Sequence, residues 1–589
     1  MILTKQKRHH LTRGGKPSLR RRDSVQRADL RRHSSPRQAE GPPCNDLTPP
    51  ILADANWFGA VYLDLESADR LCLQALFITN PAADKLRIES SKGPFLRDAS
   101  RWILDTAEFQ AWRDPGNDTS LLWIYGGAGT GKTMLLCGVL DELRKHETAA
   151  GNNLAFFFCA RSSERSSSAE AVLRGLLFML ATDPRRRSVI KLIREKYDDA
   201  GPAMFDNPSA WWSLCDILAG VLREVNQSRK GGQGVTYLVI DALDECEVRL
   251  EDLLKLIVKV TSNAGGRVKW LVTSRGKESI RRGLRVRRAG PRLGFDLDDH
   301  STEVSRAVQT YIRRCAAELA ETEREDDEIY QLIWEGLQQR KVDRTFLHVM
   351  LATGELRAVE REKRPERLSR LAVDVKGLYR QAEERIRDFD HTKGSKNICQ
   401  RTLSAVVVAH RPLSELELYA LAGLDSLDSG QTKSVIDLCQ SFFVIGEGKA
   451  NWVHESAREY FRQDSLLFAT SLETEHHRLF VACLRVMGAL LRRGIHDPSH
   501  PERPTKEQQV AAVGYACDNW IEHLVAGAQH DHETRDDGAL FEFLKTGFLH
   551  WLEYLAVAGN MRGTLSLWAK LVGFLEVNVM ATPFPDAIN

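Results

Sequence analysis

No hydrophobic run in the chain is long enough to cross a membrane. The stretch Leu403 to Ala409 is typical of the longest apolar runs, whereas a membrane-spanning helix needs about 18 apolar residues or more. The first positive charges are not followed by an apolar stretch, so the pattern of a secretory leader is missing as well. We therefore expect a cytoplasmic chain without a transmembrane segment.

Patterns of paired cysteines and of internal repeats are also missing. The 11 cysteines are scattered and include no C-x-x-C pair, which argues against a disulfide framework or a zinc motif and predicts reduced thiols. We find no repeat of about 20–50 residues, which would indicate a solenoid or a propeller. Five histidines of the C-terminal region show no metal-ligand spacing: His476, His477, His530, His532 and His550.

Acidic residues are scarce in residues 1–43. The whole chain has a net charge of only +2, yet this part carries 12 Lys and Arg against 3 acidic residues. Because it has almost no large apolar side chains, it cannot bury enough surface to offset the entropy of ordering. We expect residues 1–50 to be a disordered basic tail. It is either a solvated extension, a nuclear-localisation or nucleic-acid patch, or a transit peptide, so a nuclear location stays open.

The strongest motif that is present lies at residues 121–136. The apolar run Leu121 to Tyr125 predicts a buried strand, Gly126 to Thr133 fits G-x-x-x-x-G-K-[ST], and helical spacing follows. Strand, glycine loop and helix in this order predict a P-loop that binds nucleotide phosphates. The predicted phosphate-binding residues are Gly126, Gly127, Ala128, Gly129, Thr130, Gly131, Lys132, Thr133 and Met134.

Each part of this motif has a chemical role. Glycines let the backbone N–H groups close round an anion, and the N-terminus of the following helix adds its positive dipole. Lys132 is expected to pair with the β- and γ-phosphates, and the Thr133 hydroxyl to bind Mg²⁺.

A second motif, Val235 to Glu245, is an apolar strand that ends in acidic residues. This is the Walker B pattern, in which Asp241 would hold Mg²⁺ beside the P-loop. Asp244 and Glu245 are candidates to orient an attacking water molecule.

A further strand, Val268 to Thr273, is followed by Ser274 and Arg275. The carboxyl ends of parallel strands face the ligand crevice. Arg275 is therefore expected either to contact a γ-phosphate or to cap the following helix.

The periodicity predicts the organisation of the rest of the chain. We predict an α/β P-loop NTPase, with a parallel sheet and helices on both faces, over residues 119–298. A helical segment, 51–118, precedes it. A helical domain (299–395), a winged helix (396–465) and a C-terminal all-α region (466–589) follow.

The winged helix is predicted from three features. Leu403 to Ala409 has helical spacing, Ser414 and Glu417 form a capping box, and residues 441–453 alternate as a β-hairpin.

The order of these motifs resembles the NACHT branch of the STAND P-loop NTPases. More narrowly, it resembles the NACHT proteins of filamentous fungi that include the vegetative (heterokaryon) incompatibility proteins. The residues that carry this resemblance are Cys72 to Leu76, Arg101 to Asp105, Leu121 to Ile124, Gly131 to Leu135, Ala171 to Gly175, Ile240 to Cys246 and Val272 to Arg275. The chain departs from the group at Gly127 to Thr130, at Phe346-Leu-His348 and before Gly377-Leu-Tyr379.

The resemblance implies a nucleotide-dependent signalling switch. Its cofactors would be ATP/ADP or GTP/GDP with Mg²⁺, and the sequence does not separate adenine from guanine. His454, at the end of the predicted hairpin, would contact the β-phosphate of a bound diphosphate and hold a closed state, unless it only caps the next helix. Exchange to a triphosphate, or an unidentified protein trigger, would favour an open form that self-associates. Hydrolysis would be a slow reset at most. Relatives commonly continue into WD40 repeats, which this sequence does not contain.

Two other functions stay open. A conventional turnover ATPase would use the same motifs. A winged-helix nucleic-acid regulator would need a basic recognition surface, but the acidic Glu415, Glu417 and Asp425 lie near its expected place. Nucleic acid is therefore not the expected partner.

Overall fold

The computed structural model describes most of the chain after residue 65. The described residues are 66–91, 100–147, 151–161, 166–183, 185, 187–205, 207, 209–227, 234–263, 267–287, 290–322, 324, 327–339, 345–392, 397–446, 448–467, 471–491, 505–527, 538–557 and 567–574. The predicted basic tail, residues 1–50, lies outside them.

A five-stranded parallel sheet is the centre of the first half of the described fold. Its strands are β1 (Leu121–Tyr125), β2 (Asn153–Phe158), β3 (Thr236–Asp241), β4 (Val268–Ser274) and β5 (Arg292–Asp296). Their order in the sheet is β2-β3-β4-β1-β5, and every pair is parallel. Strands β2, β3 and β4 are buried along their whole length, which explains their almost continuous apolar sequences. The predicted parallel α/β core is confirmed.

Two details of the sheet were not predicted. Strand β4 lies between β1 and β3, so the strand that ends in Asp241 is not adjacent to the strand that leads into the glycine loop. Strand β5 was missed because its short sequence, with Gly294 at its centre, shows little of the apolar pattern of the other strands.

Nine α-helices accompany the sheet in the described residues. They are α1 (Ser67–Leu76), α2 (Pro81–Ser91), α3 (Ala107–Arg113), α4 (Lys132–Glu147), α5 (Ala169–Ala181), α6 (Arg187–Ala200), α7 (Ala210–Gln227), α8 (Leu250–Asn263) and α9 (Glu278–Leu284). Short 3₁₀ helices lie at Arg101–Asp105, Pro202–Phe205 and Leu243–Glu245.

The segment before the sheet packs into the same hydrophobic core as the sheet. Phe109 and Trp112 of α3 are fully buried in that core. The Trp112 indole donates a hydrogen bond to the backbone oxygen of Trp270 in β4, with a length of 2.9 Å. The described residues of this segment thus pack against the sheet, and the predicted boundary at residue 118 stays a prediction.

The second half of the described fold is mostly helical. Its helices are α10 (Ser301–Ala320), α11 (Glu328–Gln338), α12 (Phe346–Arg357), α13 (Arg364–Arg370), α14 (Val375–Thr392), α15 (Ile398–Val408), α16 (Glu415–Ala422), α17 (Ser429–Cys439), α18 (Glu455–Gln463), α19 (Leu472–Leu490), α20 (Thr505–Ala526), α21 (Ala539–Thr546) and α22 (Phe548–Val557). Short 3₁₀ helices lie at Arg361–Lys363 and Leu424–Ser426.

One antiparallel hairpin interrupts this helical half. Strands β6 (Phe443–Gly446) and β7 (Lys449–Trp452) pair directly after α15, α16 and α17. The predicted capping box of α16 is confirmed, since Ser414 and Glu417 each bond the backbone of the other. We call residues 397–463 the hairpin unit; its assignment as a winged helix stays a prediction.

The second hydrophobic core is continuous across the helical half. Buried apolar side chains form a single cluster that runs from Val308 to Leu571 and includes residues of α10, the hairpin unit and α20. The predicted boundaries at residues 395 and 465 stay predictions, and apolar packing crosses both.

None of the described helices combines the length and the apolar character that crossing a membrane requires.

The cysteines that the structure describes are all free thiols. Most of them are buried, and Cys215 is partly exposed.

Candidate functional site

The predicted site residues meet where the parallel strands end. The ends of β1, β4 and β5 are aligned, because Tyr125 pairs with Ser274 on one side and with Asp296 on the other. The glycine loop follows β1, the turn Leu243–Glu245 follows β3, and Arg275 follows β4. The carboxyl edge of a parallel sheet thus brings the three separate motifs together.

The glycine loop is covered by the first turn of α12. Gly129 and Gly131 have positive φ angles of 73° and 88°, which glycine adopts without strain. A Cβ atom on Gly129 would lie 2.5 Å from the Leu347 Cβ, and one on Gly131 would lie 2.8 Å from the Phe346 ring. The loop therefore needs glycine at both positions, for its backbone shape and for its packing.

Lys132 begins α4 and folds over the glycine loop. Its ammonium group donates hydrogen bonds to the backbone oxygens of Gly126 and Gly127, with lengths of 3.0 and 2.6 Å. Burial lowers the pKa of Lys132 to about 8, although the nearby carboxylates of Asp244 and Asp241 oppose this shift. A phosphate group would favour the charged form of the lysine further.

Asp241 lies buried at the end of β3 and is held by the neighbouring strand. The Thr273 hydroxyl donates to its carboxylate at 2.5 Å and accepts from the Ala242 backbone N–H at 3.0 Å. Ala242 itself has a φ of 51°, and a small side chain suits this left-handed conformation. Strand β4, which separates β3 from β1, thus fixes the Asp241 carboxylate.

Asp244 and Arg275 lie next to each other beside the glycine loop. The Arg275 backbone N–H donates to the Asp244 carboxylate at 3.0 Å. The Arg275 guanidinium donates to Glu459 of α18 at 2.7 Å. The N-cap position of the following helix, α9, belongs to Lys277. Arg275 therefore joins the sheet edge to the hairpin unit.

Glu245 is a half-buried carboxylate on the same turn. It accepts a hydrogen bond of 3.1 Å from the Arg161 backbone N–H. Burial raises the pKa of Glu245 to about 7, and the nearby carboxylate of Glu455 adds to this shift. Glu245 is therefore partly protonated at neutral pH.

His454 is both the N-cap of α18 and part of the cavity wall. Its Nδ1 accepts a hydrogen bond of 3.1 Å from the Ser456 backbone N–H and lies 2.8 Å from the Ser456 hydroxyl. That hydroxyl is in turn 3.0 Å from the Tyr379 hydroxyl of α14. Because Nδ1 is an acceptor, the proton of the neutral ring is on Nε2.

These residues surround one cavity. Of the predicted residues, Ala128 to Met134, Asp244, Glu245, Arg275 and His454 line it. Asp241 lies behind Thr273, which itself lines the cavity. Gly126 and Gly127 contribute through their backbone oxygens, which hold Lys132.

The other walls of the cavity were not predicted as site residues. They are mostly apolar or aromatic and come from the segment before the sheet, from the turn after β5 and from α10 and α12: Trp102, Leu297, Val304, Ala307, Tyr311, Phe346, Leu347 and Met350. Phe346 and Leu347 belong to a stretch that the sequence singled out only as a departure from the family pattern. Periodicity predicts their helix but not the loop that it covers.

The cavity has a polar end and an apolar end. The polar end combines backbone N–H groups of a helix start with the cations of Lys132 and Arg275, a combination that suits phosphate groups. The apolar end, with Trp102 and Tyr311, suits a planar base. Thr133 and Asp244 line the cavity, and Asp241 lies directly behind Thr273. Hydroxyl and carboxylate oxygens are ligands that suit Mg²⁺, and the roles of these residues stay predictions.

Known proteins match the chain in two ways. Residues 98–275 match the family described as "Nephrocystin 3, N-terminal". The vegetative incompatibility protein HET-E-1 of Podospora anserina is 34% identical over 514 residues, which cover 82% of this chain and 37% of that protein. The chain thus spans little more than a third of the length of this relative.

Two solved structures are similar to the chain. A Walker-type ATPase of Pyrococcus abyssi has a TM-score of 0.30 at 14% identity and covers 62% of this chain and 96% of its own. The ORC2 protein of Aeropyrum pernix has a TM-score of 0.29 at 13% identity and covers 66% of this chain and 95% of its own. At these TM-scores the two structures say nothing further about the chain.

The sequence match, the parallel sheet and the glycine loop at its edge agree with one another. Over most of its described length the chain is therefore similar to the NACHT-domain P-loop NTPases of filamentous fungi that include the vegetative incompatibility proteins.

Proposed function

We propose that the chain is a NACHT-type nucleotide switch, in which exchange of a nucleoside diphosphate for a triphosphate converts a closed form into an open form that self-associates. Its biological setting would be fungal non-self recognition or programmed cell death. One observation carries this proposal. The same cavity is lined by the glycine loop and by Val453, His454 and Glu455, so a bound nucleotide would touch both the NTPase core and the hairpin unit.

The polar end of the cavity supports a diphosphate-bound closed form. Lys132, the glycine loop and the start of α4 would bind the β-phosphate, and the Nε2–H of His454 would donate to it. Thr133, Asp241 and Asp244 would hold Mg²⁺, which would neutralise phosphate charge. In this arrangement His454 links the nucleotide to the hairpin unit.

The contacts of Arg275 suggest why a triphosphate would destabilise the closed form when a diphosphate does not. Its guanidinium bonds Glu459 of α18, yet it also lines the cavity. A γ-phosphate carries more charge than a carboxylate and would compete with Glu459 for this guanidinium. Loss of the pair would weaken the attachment of α18 to the core and favour the open form.

Several contacts have to act together in such a switch. Moving an equilibrium from 1:99 to 99:1 needs a difference of about 5.5 kcal/mol between the states. The pair of Arg275 and Glu459 is partly exposed, and pairs of this kind contribute about 1 kcal/mol or less. The phosphate, Mg²⁺ and His454 contacts would therefore have to supply most of the difference.

Slow hydrolysis is consistent with the protonation state and the hydrogen bond of Glu245. A carboxyl group whose pKa is about 7, and which already accepts from the Arg161 backbone, is only partly available to orient a water molecule at neutral pH. We propose that hydrolysis acts as a reset and not as the main activity.

The decisive experiment identifies the nucleotide released from the purified protein and measures the mass of the protein in solution with each nucleotide. We expect a bound diphosphate, a monomer in its presence and larger assemblies with the triphosphate. Lys132→Ala serves as the control that should bind neither nucleotide while keeping its fold. A protein that turns over nucleotide rapidly and keeps one mass in every nucleotide state would instead be a conventional ATPase.

A further inference from the structure

Three histidines that are far apart in the sequence meet in the helical half of the fold. His410 follows α15 in the hairpin unit, His476 is in α19 and His523 is in α20. Each ring offers one nitrogen atom, and these three atoms all lie within 4.8 Å of one another. We call these residues the histidine cluster.

The rings of the cluster contact one another directly. The Nδ1 atoms of His476 and His523 are 2.8 Å apart. The rings of His410 and His523 are stacked, with their centroids 4.7 Å apart. The ring of His476 lies 5.1 Å from His523 and 5.9 Å from His410.

We propose that the histidine cluster is a binding site for a divalent transition metal ion of the zinc type, which ties the hairpin unit to α19 and α20. Imidazole nitrogen is a preferred ligand of Zn²⁺, Co²⁺, Ni²⁺ and Cu²⁺. Three histidines with one open position form a known zinc geometry, in which the fourth ligand is water.

Binding of an ion would require the ring nitrogens of the cluster to shift. Zn–N bonds of about 2.0–2.1 Å in a tetrahedral arrangement place the nitrogen atoms roughly 3.3 Å apart. The Nδ1 atoms of His476 and His523 would therefore separate by about half an ångström from their present hydrogen bond. The three nitrogen atoms lie within 4.8 Å of one another, so a pair at this upper limit would have to approach by about 1.5 Å when the ion binds.

A tyrosine next to the cluster fixes one of the rings. The Tyr515 hydroxyl lies 2.8 Å from Nε2 of His523, and it accepts a hydrogen bond of 3.0 Å from the His410 backbone N–H. This contact occupies Nε2 and directs Nδ1 of His523 toward the other two rings. Partners of this kind orient the histidine ligands of metal sites.

The charges round the cluster permit a cation. The guanidinium of Arg411, the residue after His410, lies over the Tyr515 ring. It is neutralised by Glu417, whose carboxylate it binds at 2.7 and 2.8 Å.

The three rings differ in exposure, so a metal ion could reach the cluster from one side. His523 is fully buried, whereas His410 and His476 are partly exposed. An ion would enter past the two exposed rings, and water would complete its coordination there. No local motif indicates this site, because its ligands come from three separate elements of the fold.

The test uses the full chain with its nucleotide site filled by Mg²⁺ and excess nucleotide. Co²⁺ is titrated into protein that has been stripped with a chelator, visible absorption reports tetrahedral coordination, and Zn²⁺ is then added as competitor. We expect about one Co²⁺ per chain, displaced by Zn²⁺. We also expect Zn²⁺ to raise the thermal unfolding midpoint, and the chelator to reverse this.

His476→Gln and His410→Gln remove one ligand each, and His477→Gln is the matched control on the same helix. We expect affinity to fall by roughly 100-fold or more in the first two variants and to stay unchanged in the control. If His476→Gln does not fold, the comparison of His410→Gln with His477→Gln decides alone. A parent that shows no tetrahedral Co²⁺ absorption, or cluster variants that bind like the parent, would leave only a hydrogen-bonded histidine pair and overturn the proposal.

Discussion

The two ring nitrogens of His454 have different surroundings. Nδ1 accepts from the Ser456 backbone and so caps α18, which is one of the two roles that the sequence left open. The cap also puts the proton on Nε2 in the neutral ring. Capping and phosphate binding are therefore compatible, since the first prepares the tautomer that the second needs.

Two substitutions separate these roles. His454→Asn keeps an efficient N-cap but lacks the reach of the imidazole Nε2–H, whereas His454→Ala loses both. A hydrogen bond to a charged group contributes about 1.5–3 kcal/mol, so we expect both variants to release diphosphate roughly 10- to 100-fold faster. Stopped-flow displacement of a fluorescent diphosphate measures the rate. Parent-like release from His454→Asn, with fast release from His454→Ala, would mean that His454 is only a cap.

Glu245 makes the stability of the core depend on pH. Its pKa is raised to about 7, first by burial and then by Glu455, whereas an unfolded chain has an ordinary value near 4.5. The folded protein thus holds a proton that the unfolded chain has released between these two values, and folding becomes less favourable as pH rises through this window. Above about pH 7 the folded protein carries the full destabilisation that ionised Glu245 causes.

We expect Glu245→Gln to remove this dependence. Between pH 5 and pH 8 the parent should lose roughly 1–3 kcal/mol more stability than the variant, as measured by urea unfolding. Glu247→Gln is the control, because Glu247 also binds Arg161, at 2.7 Å, but is largely exposed. Identical pH profiles for the parent and Glu245→Gln would show that Glu245 ionises normally.

At the scale of elements, the glycine loop and α12 act as one unit. The helix begins at Phe346, after Thr345 caps it by accepting from the His348 backbone N–H. Its first two side chains then cover Gly129 and Gly131. A change in the conformation of the glycine loop would therefore displace the first turn of α12, which belongs to the helical half of the fold.

Gly131→Ala tests this coupling. The new Cβ would lie 2.8 Å from the Phe346 ring at a φ of 88°, so the loop must move, and strain of about 1–3 kcal/mol follows. We expect nucleotide affinity to fall at least about tenfold, as measured by isothermal titration calorimetry. Gly127→Ala is the matched control, because its Cβ would meet only the Thr130 methyl group at 3.7 Å. Equal affinities in the two variants would contradict the packing argument.

The elements themselves could be predicted well from the sequence. Four of the five strands in the sheet, the helix after the glycine loop and the hairpin at residues 443–452 follow from local apolar patterns and turn residues. The contacts between elements could not be predicted in the same way. Nothing local to Phe346 indicates that it covers Gly131, and nothing local to His523 indicates that it meets His410.

At the scale of the whole molecule, charged contacts join the sheet edge to the hairpin unit. Arg275 bonds Glu459 at 2.7 Å, and Arg161 lies 3.6 Å from Glu455. Both acidic partners are on α18, the helix that His454 caps. At α18 the two hydrophobic cores of the described residues are thus connected by polar contacts, whereas Val304, Phe346 and Leu347 connect them by apolar packing at the cavity wall. Polar contacts can separate at a lower cost than apolar ones, as a reversible opening requires.

Reversing the charge of Glu459 should shift the equilibrium from the closed form toward the open form. Glu459→Lys removes the pair with Arg275 and places two cations together, which we expect to favour the open form by about tenfold. Light scattering after size-exclusion chromatography should then show assemblies at lower triphosphate concentrations than in the parent, and a larger assembled fraction with diphosphate. Glu360→Lys makes the same charge change at an exposed pair with Lys363 and should leave the mass unchanged. If Glu459→Lys stays monomeric under every condition in which the parent does, α18 does not hold the closed form, and the control of assembly lies elsewhere in the chain.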